Sequence, residues 1–540
     1  MPVRSDRAEL IAHYDFPLDR FQLEAMDALD DGRSVLVAAP TGSGKTVVAE
    51  YGIEAALRAG MRAFYTAPIK ALSNQKFHDL VGRYGADQVG LLTGDNAING
   101  DAPIVVMTTE VLRNMIYGRW HALTELALVV LDEVHFLQDT YRGPVWEEVI
   151  IHLPRHVQLV CLSATVSNAK ELTEWITTVR GPTTAVLEEK RPVRLENLFM
   201  VGDRTSDRLQ LMPTLVNGHP NNVAMRLTEE GTDHWKGTKN RKGGGGHAKR
   251  KLYAPSRLEV VERLDDERML PAIYFIFSRN QCDEAARTCL AAGLRLTTGE
   301  QRERIRAIAD ARLTGMEPAD LAVLGHGQFL AQLEAGIAAH HAGMVPPFKE
   351  VVEACFAEGL IKVVFATETL AVGINMPART VVIDKLTKFT GEHHAMLTPG
   401  EYTQLTGRAG RRGIDEFGQA IVLWSPFTTF EQVAGLAASR WFHLNSAFRP
   451  STTWPRTWSG RTPASKPITS STSPSPSFRP TVTWCGWRAG WASARRSCAS
   501  SPRRPSARTA TSTTTAVACS RANDAIRTSP AATTRSIWRS

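Results

Sequence analysis

A chain of 540 residues is too long for one hydrophobic core and divides, at ordinary domain sizes, into about three or four units. Four of its seven cysteines, Cys161, Cys282, Cys289 and Cys355, are spread singly through the first 450 residues; no apolar run nears the ~18 residues of a membrane span, and residues 1–10 lack an apolar signal core. A disulfide framework, a paired-cysteine metal site and a membrane partner are therefore not expected, a reducing cytoplasmic setting is, and the net charge of +8 is no guide to ligands: residues 451–540 hold thirteen Arg and one Lys against Asp524, a net +13 that leaves residues 1–450 at −5.

Short aliphatic runs at 34–39, 62–67, 104–108, 126–131 and 157–163 alternate with stretches of helical patterning, as a buried parallel sheet with crossover helices requires. The clearest helix is 46–59, built of good helix formers and ending at Gly60, a residue suited to a left-handed cap. A second strand series at 271–277, 361–366, 380–384 and 419–424 predicts a second α/β domain of similar build. Between the series lies a polar stretch, 202–257, with four glycines at 243–246 flanked by Lys239, Arg241, Lys242, Lys249, Arg250 and Lys251; it reads as a flexible insertion whose charges are solvated. After residue 450 Leu, Glu and Gln vanish and Ser, Thr, Arg and Pro dominate, a low-complexity basic tail expected to be disordered.

The first strand runs into Ala39-Pro40-Thr41-Gly42-Ser43-Gly44-Lys45-Thr46, whose small residues let backbone N–H groups turn inward around phosphates at a helix N-terminus. Lys45 is the cation for the β and γ phosphates of ATP, and the Thr46 hydroxyl is a Mg²⁺ ligand. The strand 126–131 delivers Asp132-Glu133-Val134-His135 to a carboxyl edge of the sheet, where ligands of open α/β folds bind. There Asp132 reaches Mg²⁺ through water and Glu133 orients and deprotonates the attacking water. Acids after a strand are ordinary; their pairing with the phosphate loop gives the signal its weight.

Ser163-Ala164-Thr165 ends a further strand. Upstream, Phe16 and Gln22 accompany the loop, with Gln22 suited to pair with adenine or simply to sit on the surface. Pro68 and Lys70 follow the strand 62–67, and Thr109 and Glu110 follow 104–108; such strand-end groups grip a sugar-phosphate backbone without reading bases, although either could be a plain strand-to-helix turn. Ser278 and Thr367 follow the strands 271–277 and 361–366 of the second series, and Gly373 lies further along the same stretch as Thr367. Gln404-Leu405-Thr406-Gly407-Arg408-Ala409-Gly410-Arg411-Arg412-Gly413 closes the set. The histidine pairs His340-His341 and His393-His394 lack the spaced partners of a zinc site.

In their order and spacing these motifs resemble the superfamily-two DExH-box helicases, most of all the superkiller and exosome-associated branch, over roughly residues 10–450. The resemblance implies two RecA-like domains, 1–195 and 196–435, then the start of a winged-helix region at 436–450. It implies adenine recognition by Phe16 and Gln22, coupling by His135, Ser163 and Thr165, and nucleic-acid contacts at Pro68, Lys70, Thr109, Glu110, Ser278 and Thr367. Gly373 falls on the nucleotide side. Gln404 joins the catalytic set, while Arg408 and Arg411 reach across the cleft as arginine fingers.

The expected activity is nucleic-acid-stimulated ATP hydrolysis with 3′ to 5′ unwinding of single-stranded or tailed duplex substrates. The branch favours RNA over DNA and allows the RNA-degradation machinery as a partner; a DNA-repair helicase is the alternative within the superfamily. A nucleotide-responsive binding module unable to unwind is the alternative outside it, and a P-loop ATPase of transport or assembly fits the first motif alone. Members of the branch continue after an Asn-Ser-x-Phe-Arg-Pro segment, here 445–450, with Tyr-Asn-Met-Ala-x-Asn-Leu-Val, which a one-base shift of frame from Ser451 permits. The hypothesis is that residues 451–540 are a frameshift product; resequencing that finds the frame intact rejects it.

Overall fold

The computed structural model describes residues 14, 16–118, 123–205, 208–232, 252–371, 376–390, 392–439 and 442–447. The frameshift candidate at 451–540, the glycine run at 243–246 and Gly373 lie outside the described residues.

The first domain is one sheet of eight strands: β1 (Ser34–Ala38), β2 (Arg62–Ala67), β3 (Val89–Leu92), β4 (Ala97–Ile98), β5 (Ile104–Thr108), β6 (Leu126–Leu131), β7 (Gln158–Ser163) and β8 (Thr183–Leu187). Their spatial order is β4-β3-β5-β2-β6-β7-β1-β8, parallel except for the β3–β4 pair. Successive side chains alternate between two cores, as the two-residue period of a strand demands. Leu36 and Ala38 join Phe64, Met107, Val129 and Leu159 on one face, while Val35 and Val37 join Tyr65, Val106, Val130 and Val160 on the other. Burial on both faces explains why these strands read as unbroken apolar runs. The helix Thr46–Arg58 lies on the second face through Val48, Ala49 and Ile53, and Gly60 leaves it with φ of 69°.

The second domain repeats the plan with β9 (Arg194–Asp203), β10 (Arg208–Pro213), β11 (Ala272–Phe275), β12 (Ile337–His340), β13 (Val363–Ala366), β14 (Thr380–Ile383) and β15 (Phe417–Leu423). Their order is β10-β9-β15-β14-β11-β13-β12, with the short strand Leu252–Tyr253 also paired to β9. The sheet again parts two cores, Ile273, Phe275, Val364 and Val381 on one side and Tyr274, Val363, Phe365 and Val382 on the other.

The stretch 202–257 is not wholly a flexible insertion: β10 pairs antiparallel with β9, and the helix Asn222–Thr232 puts Ala224 and Leu227 into the core. Leu209 and Leu211 supply a two-residue apolar alternation inside a polar context, enough to bind an edge strand but easily lost in a composition average. The residues after the second sheet turn back to the first domain, where Val166 and Phe442 form an isolated parallel bridge.

Candidate nucleotide and nucleic-acid site

Because β6, β7 and β1 are neighbours, the sheet delivers the Asp132–His135 turn, the Ser163–Thr165 turn and the phosphate loop side by side at one carboxyl edge. The loop bends through Gly42 (φ 80°) and Gly44 (φ 86°); a Cβ on Gly44 would sit 2.9 Å from Gln22 Nε2. Ala39 N–H donates to Ser163 O at 3.2 Å, which ties the loop to β7. Lys45 Nζ donates to Ala39 O at 2.7 Å, so its ammonium crosses the mouth of the loop. Loss of solvation lowers its pKa, opposed by the charges of Glu133 and Asp132. Ser43 Oγ is buried without a hydrogen-bond partner among the described residues, Thr46 opens the helix, and Pro40 and Thr41 complete the turn.

Asp132 is gripped at both oxygens: Tyr65 Oη donates to Oδ2 at 2.6 Å and Glu133 N–H donates to Oδ1 at 2.9 Å. Burial, then the neighbouring Glu133, push its pKa up. Each oxygen keeps a second lone pair, so contact with Mg²⁺ through water remains open. Glu133 has left-handed backbone angles, φ 52° and ψ 47°, a conformation that costs a non-glycine residue of order 1 kcal/mol and recurs at functional sites.

His135 is buried between both domains. Its Nδ1 lies 3.3 Å from Glu133 Oε2 and 3.4 Å from the Ala164 N–H, and its Nε2 lies 2.7 Å from Gln404 Nε2. Burial first, and the Lys45 charge second, push the imidazole pKa down to about 3, so the ring is neutral at pH 7. A nitrogen on each side of that contact needs one donor and one acceptor. The amide nitrogen of Gln404 can only donate, so Nε2 of the neutral ring accepts that hydrogen bond and the ring proton sits on Nδ1, toward Glu133 Oε2.

The second domain brings its arginines to the same cleft in different ways. Arg408 is buried; its guanidinium donates to Ala371 O, with Nε at 3.2 Å, and burial lowers its pKa while the Glu133 charge opposes that. Arg411 forms a two-point ion pair with Asp415, Nε–Oδ2 2.8 Å and Nη2–Oδ1 2.9 Å. Arg412, to which its place in the motif assigns no role, touches the phosphate loop: Nη1 donates to Ser43 O at 3.2 Å and Nη2 pairs with Asp19 at 3.0 Å. A cavity of about 240 Å³ lies beside this contact, lined by Asp19, Phe21, Ser43, Lys190, Arg191 and Arg412. Arg191 also holds the arginine loop by donating to Ala409 O at 2.9 Å.

Gln22 is fully buried, and its amide is spent within the protein: Nε2 donates to Gly44 O at 2.9 Å and Oε1 accepts from Asp19 N–H at 2.8 Å. Phe16 stays 46% exposed, tilted on Tyr14 with ring centroids 5.5 Å apart. Ser163 Oγ is buried without a partner among the described residues, and Thr165 is half-buried beside it.

The residues expected to grip nucleic acid line up on the adjacent strand ends of β5 and β2, and on β11 and β13 of the second sheet. Pro68 O accepts from Arg142 Nη1 at 2.9 Å, and Arg142 Nε lies 4.0 Å from Glu110. Thr109 Oγ1 donates to Ala67 O at 3.4 Å, and Lys70 pairs with Asp95 at the surface. Ser278 precedes the helix Arg279–Ala291, and Thr367 Oγ1 meets Thr369 Oγ1 at 2.9 Å. His340 and His341 are held by Glu353 and Asp283, each at 2.9 Å, and among the described residues no group of three or more His, Cys, Asp or Glu could hold a metal. No described helix is long and apolar enough to cross a membrane.

Residues 19–172 match the family model of the DEAD/DEAH box helicases, and residues 319–413 match that of the helicase conserved C-terminal domain. The chain is 54% identical over 447 residues to the probable helicase HelY of Mycobacterium tuberculosis (strain ATCC 25618 / H37Rv), covering 82% of this chain and 49% of that protein. It is 39% identical over 460 residues to the exosome RNA helicase MTR4 of Homo sapiens, covering 83% and 42%, and 38% identical over 483 residues to the antiviral helicase SKI2 of Saccharomyces cerevisiae, covering 80% and 37%. The chain belongs to the superfamily-two DExH-box helicases, in the superkiller branch. It spans about half the length of the curated relatives it matches first.

Proposed function

We propose that this chain is an RNA-stimulated ATPase that closes its two RecA-like domains on ATP·Mg²⁺ and a single strand, and moves along that strand 3′ to 5′. The observation that carries the reading is the contact between Gln404 and His135, 2.7 Å across the cleft and two residues from Glu133. It joins the water-activating side of one domain to the arginine loop of the other.

A nucleoside triphosphate with Mg²⁺ is supported by the small-residue turn, left-handed at Gly42 and Gly44, that leads into a helix N-terminus, and by Ser43 Oγ, which is buried without a hydrogen-bond partner among the described residues. Thr46 and Asp132 would hold the ion, which when bound neutralises charge on the transferring phosphoryl group. Lys45 Nζ would exchange Ala39 O for phosphate oxygens. Glu133 would accept the proton of the attacking water on a carboxylate oxygen, and Arg408 would supply positive charge opposite it. Arg411 serves as a second finger once it leaves Asp415.

Pro68, Lys70, Thr109, Glu110, Ser278 and Thr367 would contact the sugar-phosphate backbone, so sequence preference is weak and affinity falls with salt. RNA as substrate, and a place beside an exosome, rest on the relative named as an exosome RNA helicase. The test is steady-state ATPase with single-stranded RNA, with single-stranded DNA and with neither, for the chain and for Glu133→Gln. Stimulation by RNA, lost by about 10²-fold or more in the variant while ATP binding persists, is expected. Equal rates with and without nucleic acid would sink the proposal.

A further inference from the structure

The residues that leave the second domain return to the first and end up inside the catalytic cleft. Phe442 and Leu444 are buried, and the backbone between them is fastened to the turn after β7. Ser167 N–H donates to Phe442 O at 3.0 Å; Asn168 clamps Leu444 from both sides, with Nδ2 donating to Leu444 O at 2.8 Å and Oδ1 accepting Leu444 N–H at 2.9 Å. Ser446 Oγ then donates to Glu147 Oε1 at 2.7 Å, on the helix Gly143–His152. This is a strap, laid from 442 to 446 across the turn that carries Ser163 and Thr165.

Its first side chain is placed where the two domains meet. The Phe442 ring stands edge-on to the His135 imidazole, centroids 6.1 Å apart and planes at 80°. It also covers Gly400, where a Cβ would come within 3.3 Å of Phe442 Cγ. Gly400 and Gln404 are four residues apart on the helix Pro399–Thr406 and so share a face. One aromatic ring therefore packs against the histidine on one domain and against the helix that presents its glutamine partner on the other.

We infer that Phe442 is a positioning residue for the ATPase cycle, a wedge that sets the approach of Gln404 to His135, so that turnover responds to whether the 442–446 strap is seated. The inference rests on the reading of the cleft as an ATPase site. Two packed surfaces and the strap hydrogen bonds fix the wedge, and a smaller side chain there leaves the helix bearing Gln404 free to shift. The coupling that His135 relays then weakens although no atom of the phosphate loop has changed.

The experiment compares the full chain with Phe442→Ala and Phe442→Leu by two readouts. The first is the fold stimulation of ATPase by single-stranded RNA, with affinity for a fluorescent ADP as the control for an intact phosphate loop. The second is the ring-nitrogen spectrum of ¹⁵N-histidine-labelled protein, with the His135 signals assigned by His135→Gln. Phe442→Ala is expected to cut the stimulation by about 10-fold, to keep ADP affinity, and to average the His135 ring signals. Phe442→Leu, which keeps apolar volume, should recover most of both. Unchanged His135 signals in Phe442→Ala overturn the inference, as does unchanged stimulation. If the parent chain has no ATPase, the proposed function fails, while the ring spectrum alone still decides whether the wedge positions His135.

Discussion

Tyr65 on β2 donates its hydroxyl to Asp132 Oδ2 on the end of β6, so one strand sets the carboxylate that its neighbour presents. Of the forces on Asp132, this hydrogen bond lowers the pKa while burial and Glu133 raise it. Tyr65→Phe removes the lowering influence and leaves a buried acceptor short of a donor. Under the proposed role of Asp132 as a Mg²⁺ ligand, which requires the ionised form, the acid limb of the pH–rate profile should move to higher pH and the Mg²⁺ requirement should rise about tenfold. A limb that stays in place would refute the assignment.

His135 carries the opposite sign. Its native pKa of about 3 lies below the ordinary 6.5, so the unfolded chain binds the proton more tightly and stability climbs as pH rises from about 3 to 6.5, complete above that. His152, pushed down to about 4, acts in the same direction. Replacing His135 with Gln should flatten the acid side of the stability curve by up to about 1.4 kcal/mol per pH unit. Urea unfolding at several pH values between 4 and 7 measures that slope.

Arg411 and Arg412 should separate in kinetics. Arg411 is paired with Asp415; under its proposed role as a finger that acts once it leaves this pair, Arg411→Ala is expected to lower kcat by about 10³-fold and barely move KM. Arg412 already touches Ser43 O, so Arg412→Ala should change nucleotide affinity severalfold and leave kcat within a small factor. Its pair with Asp19 is well exposed, so little loss of stability accompanies the change. Swapped phenotypes would exchange the two roles.

Two glycines of the arginine loop give a stability contrast. Both have positive φ, 90° at Gly410 and 76° at Gly413, but a Cβ at Gly410 would lie 2.6 Å from Val193 Cγ1 whereas Gly413 faces open space. Gly413→Ala should cost about 1 kcal/mol from backbone strain alone. Gly410→Ala adds the overlap and should cost about 2–4 kcal/mol. Denaturant midpoints of the two variants test the difference.

Much of this architecture is legible in the residues because buried parallel strands are apolar on both faces; the runs at 62–67, 104–108 and 126–131 coincide with β2, β5 and β6. The strands that escaped notice are short or half-polar. β12 is only Ile337–His340, and β10 hides its Leu209 and Leu211 among polar neighbours. In the cleft, spacing along the chain identifies the phosphate loop and the acid pair but not the direction of a side chain. Three arginines within five residues point to Ala371, Asp415 and Ser43, and only packing decides which takes which. Gln22 is buried against Gly44, a contact between residues 22 apart that no local pattern reveals. Phe442 and Tyr65 belong to no motif, since each acts through a neighbour contributed by a distant stretch of chain.

The order β5-β2-β6-β7-β1 also fixes a length. The strand ends that carry Pro68 and Lys70 stand three strand intervals from the end that carries the phosphate loop, about 14 Å at the usual spacing between paired strands. Backbone hydrogen bonds set that interval, and side-chain substitution leaves it untouched. Loops on this edge can lengthen, shorten or change their chemistry as a lineage diverges. The distance between the phosphate loop and the end that carries Pro68 and Lys70 stays the same, like the gauge of a railway.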